Sequence, residues 1–309
     1  MSLARRLGAA PWGVALVLAA AGPVRAAGTD PGALAAPWAD ADWAIFHEKA
    51  RWALGHDLDD APVGEAMAAL GRTFVGTAYV PHTLDPEGPE RLVINFRGLD
   101  CVTFVENVLA LALFVREPDA AALLKRRGDA EGRYEALLTR IRYRGGRLEG
   151  YASRLHYFSD WIADGEEKGL VANVTQEMGG TLDTDAVEFM TTHREAYRQL
   201  GENPSDAAAV RAAEGRLTAM GRWVIPEAAL ERAAAAIRNG DIIAATSTAN
   251  GLDVAHTGLA LWVDGTLRLL HAPLVGDSIQ ISEEPLPERI RRIAGQDGLM
   301  VARPVERAP

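Results

Sequence analysis

The chain has 309 residues, a formal net charge of −10, 48% hydrophobic residues and a single cysteine. That acidity argues against a nucleic-acid partner and against simple docking on anionic lipid. The length and apolar content suffice for one large domain with a real core, and a lone cysteine excludes any disulfide within the chain.

The first residues, MSLARRLGAAPWGVALVLAAAGPVRAAG, combine a basic start at Arg5 and Arg6 with an apolar run and a small-residue site at Val24-Arg25-Ala26. This three-part pattern predicts a secretory signal over residues 1–26 and an exported, periplasmic protein. The apolar run is too short to span a bilayer, so no integral membrane segment is expected. Residues 1–26 hold Arg5, Arg6 and Arg25 and no acid, so their removal would take the charge from −10 to −13 and leave residues 27–309 as one domain. Nothing in the sequence sets an oligomeric state. Outside the cytoplasm a free cysteine is exposed to oxidation, so Cys101 needs a reason. Burial in the core is the simplest, and chemistry is the other.

Apolar spacing predicts helices over 38–58 and 62–74, making a helical N-terminal part of about 36–75. A Pro-, Gly- and Asp-rich loop follows at 77–90, then a short strand candidate, RLVINF, at 91–96. Residues 101–116 read as a helix apolar almost all round, which belongs in the middle of a domain. Pro118 ends it. A mostly helical insertion of about 119–238 comes next, with helices expected near 119–127, 130–143, 185–200, 205–220 and 226–238 around the irregular stretch YASRLHYFSDW at 151–161. After Gly240 the period changes to two, and IIAATS, HTGLALWV, TLRLLHA, SIQIS and LMVARPV predict an antiparallel sheet over 240–305. Helices first and strands last make an α+β fold, with the 101–116 helix packed on the sheet.

Asp100 is placed to cap the helix beginning at Cys101. The aligned peptide dipoles at a helix start favour a thiolate, and an imidazolium nearby is the usual second contribution, whereas a neighbouring carboxylate opposes both. Two of the seven histidines are tied together by local chemistry. Asp264-Gly265 is a two-residue hairpin turn between the strands that carry His256 and His271, and it pairs Val263 with Thr266. In that register Gly258 faces His271, and His256 is its diagonal neighbour on the same sheet face, about 7–8 Å away and within reach of two imidazoles. A cysteine at a helix start with one histidine as base and a second to orient it is the arrangement of an activated nucleophile. A core cysteine with two ordinarily hydrogen-bonded histidines fits the same residues.

Asp100-Cys101-x-x-Phe104-Val105, Gly240-Asp241-Ile-Ile, His256-Thr-Gly258-Leu-Ala and Leu270-His271-Ala272 occur in the order shown by NlpC-type cell-wall hydrolases, papain-like enzymes that this chain resembles. Thr103 stands where Ser-Gly is usual there. That departure, the 155-residue separation of Cys101 from His256, and Arg154-x-His156-Tyr157-x-x-Asp160-Trp161 are similar to a branch associated with N-acetylmuramoyl-L-alanine amidase activity on anhydro-muropeptides. The resemblance implies a papain-like core, Cys101 as nucleophile, His256 as base and His271 as orienter. It implies peptidoglycan fragments as the partner and hydrolysis of the amide between muramic acid and L-Ala.

Tyr79, Arg154, His156, Tyr157 and Trp161 are the candidate substrate-binding residues: aromatic faces, a guanidinium and an imidazole suit sugars and peptide carboxylates. A structural hook holding the insertion to the core is the other reading of 154–161. Glu106, inside an apolar helix, calls for a buried partner. No spacing supports a metal site, and no cofactor is expected. The rival functions are a stem-peptide endopeptidase cutting after D-Glu, a non-catalytic wall-binding module and, least in keeping with the acidic charge, a lipid acyltransferase.

Overall fold

The computed structural model describes residues 38–274 and 277–306; the predicted signal at 1–26 lies outside them. The chain opens with α1 (Asp40–Leu54) and α2 (Val63–Arg72), close to the predicted spans. Two short strands, β1 (Ala78–Tyr79) and β2 (Gly98–Leu99), pair in parallel and lead into α3 (Cys101–Val115). Then come α4 (Arg127–Arg142), α5 (Phe158–Glu167), β3 (Val171–Asn173), β4 (Thr181–Asp183), α6 (Pro204–Met220) and β5 (Arg222–Pro226). The remainder is β6 (Ile242–Ser247), β7 (Val254–Val263), β8 (Thr266–His271), β9 (Gln280–Ile281), α7 (Leu286–Arg292) and β10 (Gln296–Pro304).

An eight-stranded antiparallel sheet runs β4-β5-β10-β6-β7-β8-β9, with β3 also paired to β10. Both faces are covered, which explains why IIAATS reads as a continuous apolar run rather than an alternation. Ile242 and Ala244 face the larger core, built around α3 and shared with α1, α2 and α4; Ile243 and Ala245 face a second core with Ile225, Leu286 and Ile290. Every residue of α3 from Thr103 to Val115 is buried, as an all-round apolar helix requires. Glu106 within it is held by Arg142 of α4 at 2.7 Å, and Arg142 also donates to the Val93 carbonyl (2.8 Å).

Two expectations are corrected. Residues 91–96 form no strand, because their backbone groups are taken by side chains rather than by a ladder. The Phe96 N–H donates to Asp42 (2.9 Å), the Arg91 carbonyl accepts from Tyr143 and the Val93 carbonyl from Arg142. The mostly helical insertion expected over 119–238 is also part of the sheet, to which it supplies β3, β4 and β5. Where continuous helices were expected over 185–200 and 226–238, only short helical pieces occur, such as Phe189–Thr192, Arg198–Glu202 and Leu230–Ala234.

Candidate active site

The start of α3 is fixed by a complete capping box. The Thr103 N–H donates to Asp100 Oδ1 (2.8 Å), and the Asp100 N–H donates to Thr103 Oγ1 (2.9 Å). Asp100 is thus turned into the backbone, and Thr103 does the work that a glutamate or glutamine does at the third position of other capping boxes. Cys101, the first residue of the helix, is half-buried, and the N–H groups of Thr257, Cys101 and Val102 are directed at its sulfur.

The hairpin has the register that its turn dictates. Asp264 (φ 49°) and Gly265 (φ 75°) make the two left-handed turn residues, and Val263 pairs with Thr266 and Leu259 with Leu270. Continuing one step sets Gly258 opposite His271. A Cβ on Gly258 would lie 2.7 Å from the Leu270 carbonyl oxygen and 2.9 Å from His271 Cβ, so a glycine is needed there for the strands to stay this close. Pairing of β6 with β7 shifts by one residue between Ala245–His256 and Thr246–Val254, which makes Ala255 a β-bulge immediately before His256. Bulges bend a strand and re-aim the adjoining side chain. His256 Nε2 meets His271 Nδ1 at 2.7 Å, with the rings edge to face. His271 is fully buried, and its Nε2 has no hydrogen-bond partner among the described residues.

Cys101 and His256 line a common cavity of about 310 Å³, together with Arg154, His156 and Asp253. His256 also lines a second, larger cavity of about 1000 Å³ that extends to Arg289 on α7. Burial pushes the Cys101 thiol up to about 12, with the Asp100 charge adding to the rise and the three N–H groups opposing it. Burial pushes His256 down to about 3 and His271 down to about 2, and the charge of Arg289 contributes to both. The helix start was expected to lower the thiol; desolvation outweighs it, so a neutral thiol and a neutral imidazole share the cavity wall at pH 7.

A family model for N-acetylmuramoyl-L-alanine amidase-like proteins matches residues 69–296, a span that includes Cys101 and both histidines. The chain belongs to this amidase-like family. A crystal structure of an N-acetylmuramoyl-L-alanine amidase from Bacteroides uniformis ATCC 8492 at 1.15 Å resolution is 33% identical with a TM-score of 0.70, covering 79% of this chain and 99% of that one. Another, at 1.07 Å, is 34% identical with a TM-score of 0.71 and the same coverage. A protein of Legionella pneumophila str. Philadelphia 1 shares the fold at 19% identity and a TM-score of 0.59, covering 86% of this chain and 98% of its own. A search of curated proteins found no match.

The other residues singled out in this amidase-like chain divide into two groups. Tyr79 is near enough to Cys101 and Asp100 to feel their charges: its phenol is pushed up by burial first and then by those two groups. Arg154, His156 and Tyr157 line the smaller cavity, but each is already engaged. Arg154 donates to the Leu84 carbonyl (2.7 Å) and to Asp85 (2.6 Å), with Glu90 at 3.5 Å. His156 Nε2 bonds the Tyr151 carbonyl (2.8 Å). The Tyr157 hydroxyl donates to Glu214 (2.7 Å) and accepts from the Met190 N–H (2.8 Å). Trp161 is not brought to the cavity; it is buried in the main core, stacked on Phe158 with ring centroids 4.9 Å apart. These contacts tie the middle of the chain to the core, while Arg154, His156 and Tyr157 remain on the cavity wall.

Three cavity residues escaped sequence reasoning. Asp253 accepts from the N–H groups of Ser159 and Val254 (2.7 Å each), tying the start of α5 to the start of β7 just ahead of the bulge. His82, with φ 61°, lines both cavities from the 77–90 loop. Arg289 lies on α7, a helix within the 240–305 span that was expected to be antiparallel sheet throughout. No helix among the described residues is long and apolar enough to cross a membrane, and no group of three or more His, Cys, Asp or Glu residues there is placed to hold a metal ion.

Proposed function

We propose that the chain is an exported cysteine amidase with a papain-like core. It hydrolyses the amide between the lactyl group of N-acetylmuramic acid, in its anhydro form, and L-Ala in peptidoglycan fragments. The observation that carries this reading is the 2.7 Å contact between His256 Nε2 and His271 Nδ1 on the wall of the cavity that holds Cys101. With Nε2 taken by His271, Nδ1 of His256 is the nitrogen left for the thiol. The proton leaves Sγ for Nδ1 as sulfur attacks the lactyl carbonyl, and N–H groups at the start of α3 receive the oxyanion. The imidazolium then gives its proton to the departing alanine nitrogen, and a water deprotonated by the same imidazole releases the acyl group from sulfur. His271 holds the ring of His256 in the required orientation and tautomer. Tyr79 closes one side of the thiol. Export rests on the Arg5-Arg6 start, the apolar run and the small-residue site before Ala27.

Digestion of a defined anhydro-muropeptide, read by mass spectrometry, tests the reading. The amidase releases the anhydro-sugar and an intact stem beginning with L-Ala. A stem shortened after D-Glu would make the chain an endopeptidase instead. A Cys101→Ala variant that still cleaves at the wild-type rate would refute the cysteine mechanism.

A further inference from the structure

Resting on the amidase reading, we infer that Arg289 is the receptor for a carboxylate on the leaving peptide, and that the larger cavity is the leaving-group side of the cleft. The argument begins with the helix that carries it. Leu286 and Ile290 of α7 pack into the second core, on the face of the sheet that also holds Leu267 and Leu269 of β8. Arg289 is three residues after Leu286 and one before Ile290, so it shares their buried side of the helix. It is 9% exposed and lines the larger cavity along with His256. Its Nε is buried without a hydrogen-bond partner, and no carboxylate among the described residues is in ion-pair contact with its guanidinium.

A buried guanidinium nitrogen without a hydrogen-bond partner is costly, and the only carboxylate charge among the described residues acting on Arg289 to any extent is that of Glu284, which is itself paired with Arg292. The other cations of this region are already engaged. Arg292 pairs with Glu284 at 2.8 Å and Arg198 with Glu202 at 3.2 Å. Arg154, the guanidinium that the sequence suggested for a carboxylate, holds Asp85 at 2.6 Å. Glu283, Glu284 and Asp85 also line this cavity, so its charge is mixed and the attraction for an anion is local to Arg289.

The side of the cleft follows from proton transfer. The amine that leaves must take its proton from His256, whereas the acyl group stays on Cys101. The smaller cavity contains both Cys101 and His256; the larger one contains His256 and Arg289 but not Cys101. The peptide fragment therefore runs from His256 into the larger cavity, and a planar guanidinium is suited to a carboxylate there. The depressed pKa values of both imidazoles, to which Arg289 contributes, agree with a cation held near them.

The test compares two synthetic substrates: anhydro-N-acetylmuramoyl-L-Ala-D-Glu with its carboxylates free, and the same compound with both carboxylates as carboxamides. The wild-type protein is expected to favour the acid by about 10- to 100-fold in kcat/KM, the range of a charged hydrogen bond. In Arg289→Gln that preference should vanish, through a rise in KM for the acid. Arg289→Lys should keep part of it. Calorimetry with the product dipeptide L-Ala-D-Glu should show binding to the wild type that weakens by the same factor in Arg289→Gln. Equal use of both substrates by the wild type, or a preference that survives Arg289→Gln, would overturn the inference while leaving the amidase reading intact. Cleavage of neither substrate by the wild type would overturn the amidase reading and this inference with it.

Discussion

Gly258→Ala should disable the site by moving one strand. The added methyl would meet His271 Cβ at 2.9 Å and the Leu270 carbonyl oxygen at 2.7 Å. Carbon atoms in contact prefer about 3.5–4.0 Å, so the His271 contact is short by roughly 0.6–1.1 Å. Neither neighbour can yield by rotating a side chain, because one is backbone and the other is bonded directly to it. The end of β8 must therefore retreat from β7. A retreat of that size lengthens the 2.7 Å His256–His271 contact to about 3.3–3.8 Å, at or beyond the limit of a useful hydrogen bond. Overpacking of this kind costs about 1–3 kcal/mol, and Tm should fall by roughly 3–8 °C. Misplacement of a catalytic group by about 1 Å lowers kcat by roughly 100-fold. The assay is turnover of the anhydro-muropeptide alongside scanning fluorimetry. Gly215→Ala, inside α6 with no atom within 4 Å of the new methyl, is the control: kcat should be unchanged and Tm equal or slightly higher, because alanine is favoured over glycine within a helix. A Gly258→Ala protein with kcat within threefold of wild type would refute the reasoning. If its Tm nevertheless fell, the strand would have moved without the histidine contact mattering to turnover.

The protonation state of the site gives the next prediction. With the thiol near 12 and the imidazole near 3, Cys101 in the substrate-free protein should react with iodoacetamide at pH 7 about 100-fold more slowly than a free cysteine, and the rate should climb steadily with pH to at least pH 9. A plateau of fast alkylation between pH 4 and 8 would mean a preformed thiolate–imidazolium pair and contradict the burial argument. Arg142→Leu should destabilise the protein by about 3–5 kcal/mol, because Glu106, like Arg142 only 2% exposed, would be left buried without its partner. The double variant Glu106→Leu/Arg142→Leu should recover most of that loss in denaturant titrations; a double variant no more stable than the single one would show that the pair is not what holds α3 to α4.

The parts of the fold that could be read in the sequence are those with a local cause. Asp264-Gly265 allows one tight turn, and that turn sets every cross-strand pair up to the histidines. Asp100 and Thr103 define the helix start three residues apart, and the apolar run after Cys101 can only be buried. The parts that could not be read depend on distant partners. RLVINF has strand composition, yet Asp42, Tyr143 and Arg142 claim its backbone from 49 to 54 residues away. β3 and β4 are three residues each and exist only because β10 and β5 lie beside them. The bulge at Ala255 has no signal in its residue types. Arg289 was hidden for a different reason: its segment fell in the span expected to be sheet, and only the packing of Leu286 and Ile290 shows a helix there and which side of it is turned inward.

The same contrast bears on how the proposed amidase could keep its chemistry while changing its substrate. Cys101 is rooted in a helix buried along nearly its whole length, and His271 in a strand between β7 and β9, so these side chains are held by the main core and the sheet. The cleft walls come from elsewhere: His82 from a loop, Tyr197 from the segment between short helices, and Arg289 from a helix of seven residues. Substitution at those positions would alter what is bound without shifting the sulfur or the imidazoles. The two cavities differ accordingly, about 310 Å³ around the sulfur and about 1000 Å³ beyond the histidine. On the amidase reading, the fragment that becomes the acyl group has the smaller space, and the fragment that leaves is given more room than a dipeptide needs. Selection among substrates should therefore be strict for the sugar side and lenient in stem length, with the charge nearest Arg289 as the feature on the peptide that matters most.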